Sequence, residues 1–119
     1  MASTINVPEI SPQEVARKLK EAAELVLLDV REDWEIRLAE LRDERVKYAP
    51  LSQLATRGVE ALPSEAQDRE AEIVVMCHHG VRSADVTAWL LQQGWQKVSS
   101  LAGGLEAYAL AVDERVGRY

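Results

Sequence analysis

Two short apolar runs constrain this chain more than any other feature. Leu25, Val26, Leu27 and Leu28 lead into Asp29 and Val30, and Ile73, Val74, Val75 and Met76 repeat the signature. Neither run alternates apolar with polar residues and neither is long enough for a second helix, so each reads as a strand covered on both faces. Val98 to Leu101 is a shorter version, and Val46 to Ala49, ended by Pro50, is a further candidate strand.

Helical patterns separate these strands. Ser11, Pro12 and Glu14 give an N-cap, a first-turn proline and a capping box, and Ile10 and Val15 have the spacing of a hydrophobic staple. Val15, Leu19, Ala22 and Ala23 share one face, which predicts a helix from residue 12 to about 23. Ser83 to Gln93 carries Val86, Trp89 and Leu90 at helical spacing and stops at Gly94. Trp34, Leu38 and Leu41 predict a surface helix within Arg31 to Arg45, and Ser64 to Glu72 is charged and helix-compatible. Gly103 and Gly104 mark a tight turn before a closing helix from Leu105 to about Val112. Alternating strands and helices imply an α/β fold, a mainly parallel central sheet with helices on both faces.

A length of 119 residues suits one domain spanning residues 1–119. With 14 basic and 20 acidic residues the net charge is −6, which excludes a nucleic-acid backbone as the main partner and favours a soluble monomer. No apolar stretch approaches the ~20 residues that span a bilayer, so no membrane partner is expected. One cysteine permits no internal disulfide, and the first twenty residues, with Pro8, Glu9, Pro12 and Glu14, lack a secretory pattern. A reducing, cytoplasmic setting is the expectation.

Chemistry concentrates in Cys77, His78, His79, Gly80, Val81, Arg82 and Ser83, which join the end of a buried strand to the start of a helix. Open α/β sheets place binding crevices there, and a short loop entering a helix can turn several backbone N–H groups toward one anion. Gly80 permits the curled backbone and Arg82 adds a permanent cation. Amides, helix dipole and arginine all favour the thiolate, the nucleophilic form of Cys77. The competing reading of a lone cysteine after a strand is a small buried apolar residue. The catalytic reading therefore requires the sulfur to sit among amides and not within apolar packing.

His78 and His79 are the only histidines. Consecutive side chains tend to diverge, and a four-ligand Cys/His zinc site cannot be completed from this chain without carboxylates or another subunit, so neither a metal nor another cofactor is expected. As loop residues they line the entrance, bond an anionic substrate, tune the sulfur, or point into water. Asp29 and Arg31 end the first buried strand at the same sheet edge as Cys77 and are expected, with Ser83, to support the site: Asp29 by orienting its neighbours, Arg31 by pairing with a carboxylate such as Glu35. Trp34 reads as core, or as a pocket wall.

Three blocks, LLDVRE at Leu27 to Glu32, VMCHHGVRS at Val75 to Ser83 and VSSLAGGLEAY at Val98 to Tyr108, resemble the single-domain rhodanese family of sulfurtransferases. The resemblance implies that Cys77 is the catalytic nucleophile and that His78, His79, Gly80, Val81 and Arg82 cradle the sulfur group and set substrate preference. It implies a persulfide route, from thiosulfate or a related small-molecule donor to a thiol, protein thiol or cyanide acceptor. The family's Gly-His-Ile type stretch is absent: Ala39 to Arg45 is charged and has neither glycine nor histidine.

Two other readings compete. Cysteine phosphatases and arsenate reductases on the same scaffold keep five residues between cysteine and arginine, whereas four separate Cys77 from Arg82 here. A tetrahedral oxyanion needs a wider ring of amides than one sulfur atom, so the shorter loop favours sulfur. A rhodanese-like module that binds a partner without chemistry is the other alternative.

Overall fold

Five parallel strands form one sheet in the computed structural model, which describes residues 7–21 and 24–119. In chain order they are β1 (Glu9–Ile10), β2 (Val26–Asp29), β3 (Val46–Tyr48), β4 (Ile73–Met76) and β5 (Val98–Leu101). Across the sheet the order is β1-β5-β4-β2-β3. β4 and β2 are neighbours with Asp29 in register with Met76, so the chain leaves both central strands at one edge. The two apolar runs are buried at every position, as a sheet covered on both faces requires.

The period of two along each strand divides the core. Val26, Leu28, Ile73 and Val75 pack with Leu54 of α3 (Leu51–Arg57) and with Val86 and Leu90 of α4 (Val81–Gln92). Leu27, Val74 and Met76 pack on the opposite face with Val15 of α1 (Pro12–Lys20) and with Leu105 and Tyr108 of α5 (Gly104–Ala111). A short one-turn helix, α2 (Asp33–Ile36), follows β2. Among the described residues no helix is long and apolar enough to cross a membrane.

Several boundaries differ from the sequence reading for physical reasons. Ser11 caps α1 by accepting from Glu14 N–H at 3.1 Å, while the Glu14 carboxylate turns to Arg17. The expected positions Ala22 and Ala23 lie outside the described residues. α4 begins at Val81, two residues before the expected start, because Gly80 turns left-handed (φ 96°) and becomes its N-cap. The helix expected within Arg31 to Arg45 shrinks to α2: Trp34 and Leu38 are exposed while Leu41 is buried, so they share no packed face. Glu40 N–H donates to Val116 O at 2.9 Å and draws that segment toward the α5 side. Ser64 to Glu72 holds only a single 3-10 turn at Ser64–Ala66, since Ala66 alone is buried and its carbonyl accepts from Trp95 Nε1. Two elements went unanticipated: β1, two residues held by β5, and α3, which starts where Pro50 ends the preceding segment.

Candidate active site

β4 ends at Met76, and the next seven residues make a loop and the first turn of α4 around one sulfur atom. Gly80 N–H donates to Cys77 Sγ at 3.1 Å and Ser83 N–H at 3.3 Å. The thiol lies 3.4 Å from Ser83 Oγ, which bonds Ser100 Oγ at 2.7 Å. Two amide N–H groups thus converge on the sulfur, and the thiol donates to the Ser83 hydroxyl.

Cys77 is also buried, with 1% of its surface exposed, and its residue joins the apolar cluster between the sheet and α4. Of the two conditions set for the catalytic reading, the converging amides are met, whereas the freedom from apolar packing is not, because β4 ends inside the core that α4 covers. Ser83 and Ser100 are fully buried and satisfy each other, as buried hydroxyls must.

The loop is clamped to α5. Leu105 N–H donates to Cys77 O at 2.8 Å and Glu106 N–H to His78 O at 3.1 Å. Gly104 (φ 69°) makes this approach possible: a Cβ there would fall 2.6 Å from Cys77 O and collide with His78 O. The glycine pair expected as a tight turn therefore also positions the Cys77 loop.

Around the loop, the charged residues pair differently from the expectation. Arg31 is fully buried and bonds the carboxylate of Asp29, with its Nη2 2.9 Å from Oδ2. From Glu35 it takes only the backbone carbonyl, at 3.2 Å, so the expected Arg31–Glu35 side-chain pair is not formed. Burial disfavours the Arg31 charge, but the bonds to Asp29 outweigh it and leave its pKa raised. The Glu35 carboxylate instead grips Arg82 bidentately at 2.6 and 2.7 Å. Arg82 holds that carboxyl at about 2, against the opposing effect of burial. Bound in this way, Arg82 is not the free cation over the thiol that the sequence suggested, although a negative Cys77 would still favour its protonation. Asp29 Oδ1 also accepts from the Arg31 backbone N–H at 3.1 Å, and Ser83 reaches Cys77 through its own N–H.

At the mouth of the loop, His78 is half-buried while His79 and Val81 are exposed. The two histidine rings do not diverge: their centroids lie 3.9 Å apart. Tyr119 stacks on His78 at 3.8 Å, donates to Glu35 Oε1 at 3.0 Å and accepts from Arg31 Nη1 at 3.3 Å. Trp34 approaches the same tyrosine edge-on and is 59% exposed, so it frames the mouth and is not core. Glu35, Ser100, Glu106 and Tyr119 escaped the sequence reading as site residues. Only Ser100 and Glu106 carried a signal, since they fall within the VSSLAGGLEAY block.

The family model for the Rhodanese-like domain matches residues 11–111. The chain belongs to that family. A rhodanese-like/PpiC domain-containing chloroplast protein of Arabidopsis thaliana is 34% identical over 95% of this chain, a match spanning 38% of that relative's length. A sulfurtransferase of Allochromatium vinosum is 29% identical, with 87% of this chain and 89% of the relative covered. Among solved structures, a thiosulfate sulfurtransferase from Pseudomonas aeruginosa superposes with a TM-score of 0.72 at 28% identity, covering 88% of this chain and 19% of that one. This rhodanese-like domain therefore has relatives that are named sulfurtransferases, and its fold is theirs.

Proposed function

We propose that this rhodanese-like domain is a sulfurtransferase that carries sulfane sulfur as a persulfide on Cys77. The observation that carries the reading is the pair of amide N–H groups, from Gly80 and Ser83, that meet at Sγ at 3.1 and 3.3 Å. The Cys77 thiolate attacks the outer sulfur of thiosulfate; a new S–S bond forms, the original one breaks, and sulfite leaves with its electron pair. The acceptor, cyanide or a thiolate, then attacks the terminal sulfur of the persulfide. Thiocyanate or an acceptor persulfide departs, and the Cys77 thiolate is regenerated. Fixed amides stabilise the anionic sulfur in each state without reorganising, which is electrostatic preorganisation and not acid–base catalysis.

Cys77 is the sole cysteine, so no internal thiol discharges the persulfide and an external acceptor is required. Because the sulfur is buried, reactants approach past the exposed His79 and Val81. Small donors and a thiol, protein thiol or cyanide acceptor are the partners of this reading, with a cytoplasmic site of action.

Burial of Cys77 favours a second reading, a domain that binds a partner and leaves its thiol unused. Steady-state assays with thiosulfate and cyanide, run beside p-nitrophenyl phosphate, separate the possibilities. Transfer is expected with ping-pong kinetics, and Cys77→Ser should abolish it. Absence of thiocyanate formation with every donor supports the binding module, and efficient phosphate release would place the domain with the phosphatases.

A further inference from the structure

Three side chains with metal-binding donor atoms meet beside the reactive loop: His78, His79 and Glu106, one donor atom of each lying within 4.8 Å of the others. His78 Nε2 is shielded from water and has no hydrogen-bond partner among the described residues. The Glu106 Oε1 atom is 3.7 Å away, too far for a hydrogen bond. That spacing suits a shared ion: two ligands each ~2.1 Å from a tetrahedral zinc lie about 3.4 Å apart.

The cluster is held by contacts that need no ion. Glu106 N–H bonds the His78 carbonyl, which fixes the first turn of α5 against the loop. Arg118 binds Glu106 Oε2, with Nη2 at 2.8 Å and Nε at 3.0 Å, and leaves Oε1 toward His78. Tyr119 covers a face of the His78 ring, and a ring nitrogen binds metal through its in-plane lone pair, which stacking does not occupy. Burial and the neighbouring His79 lower the pKa of His78, against the pull of Glu106, and so favour the neutral imidazole that a metal requires.

We propose that His78 Nε2, His79 and Glu106 Oε1 form a site for one borderline divalent transition-metal ion such as Zn²⁺, Cu²⁺ or Ni²⁺, with a coordination position left open. Two imidazoles and a carboxylate are a donor set suited to these ions. The ion would stand next to the nucleophile in sequence without using its sulfur.

Calorimetric titration of the full chain with Zn²⁺, in a buffer that does not chelate, tests the site. One ion per chain is expected, with affinity reduced at least ~10-fold by Glu106→Gln and by His79→Ala and changed less than ~2-fold by Cys77→Ser. Circular dichroism of each variant checks folding. Co²⁺ loading of the unaltered protein gives an independent readout, a d–d spectrum of nitrogen and oxygen ligands without sulfur-to-metal charge transfer. Absence of binding, binding unaffected by Glu106→Gln and His79→Ala, or a sulfur charge-transfer band lost in Cys77→Ser would each overturn the proposal.

Discussion

Replacing Glu35 with glutamine keeps the shape of the side chain and removes the charge that holds Arg82. The carboxylate is buried and held at about 2, mainly by Arg82, against an ordinary 4.5. A lowered folded-state value means that the stabilisation is complete above the unfolded pKa, shrinks as pH falls below it, and is gone below the folded one. A gap of about 2.5 pKa units corresponds to about 3 kcal/mol at pH 7 and about 1 kcal/mol at pH 3. The first figure is an upper value, because the Arg82 side chain keeps 32% of its surface in water. Urea unfolding followed by tryptophan fluorescence, for both proteins at both pH values, measures the difference. Glu35→Gln should destabilise by about 2–3 kcal/mol at pH 7 and by roughly a third as much at pH 3. A penalty independent of pH, or one below ~0.5 kcal/mol at pH 7, would refute the view that a buried carboxylate holds the partly exposed Arg82 at the loop.

Gly104→Ala introduces a Cβ against the Cys77 and His78 carbonyls at a left-handed backbone position; a loss of about 2–3 kcal/mol is expected, seen as a melting temperature lower by at least ~8 °C. An unchanged melting temperature would show that α5 does not clamp the loop. Ser100→Ala deprives the buried Ser83 hydroxyl of its 2.7 Å partner and should cost about 1 kcal/mol in chemical denaturation. Stability equal to the parent protein would mean that the hydroxyl relay contributes nothing.

Local signals made much of this architecture legible. β2 and β4 announced themselves because a strand buried on both faces needs an uninterrupted apolar run, and the Cys77-to-Ser83 loop could be read because its parts are contiguous. β1 carries no such signal, since two residues become a strand only by pairing with β5. Trp34, Leu38 and Leu41 matched a helical period, yet the backbone bond from Glu40 to Val116 takes the chain elsewhere. At the site, local reasoning assigned Glu35 to Arg31, four residues away, whereas its carboxylate binds Arg82, 47 residues on. Tyr119 reaches Glu35 across 84 residues. Contacts of that range depend on strand order, which no short segment encodes. The convergence of His78 and His79 follows equally from tertiary contacts, through the Tyr119 stack and the α5 clamp.

Intact-mass spectrometry of the purified chain after brief exposure to thiosulfate or glutathione persulfide tests the central claim most directly. The chain should gain one sulfur atom, mapped by peptide analysis to Cys77, and cyanide should remove it with formation of an equal amount of thiocyanate. A chain whose mass stays unchanged with every donor, while its fold remains intact, would contradict the assignment of Cys77 as the sulfur carrier.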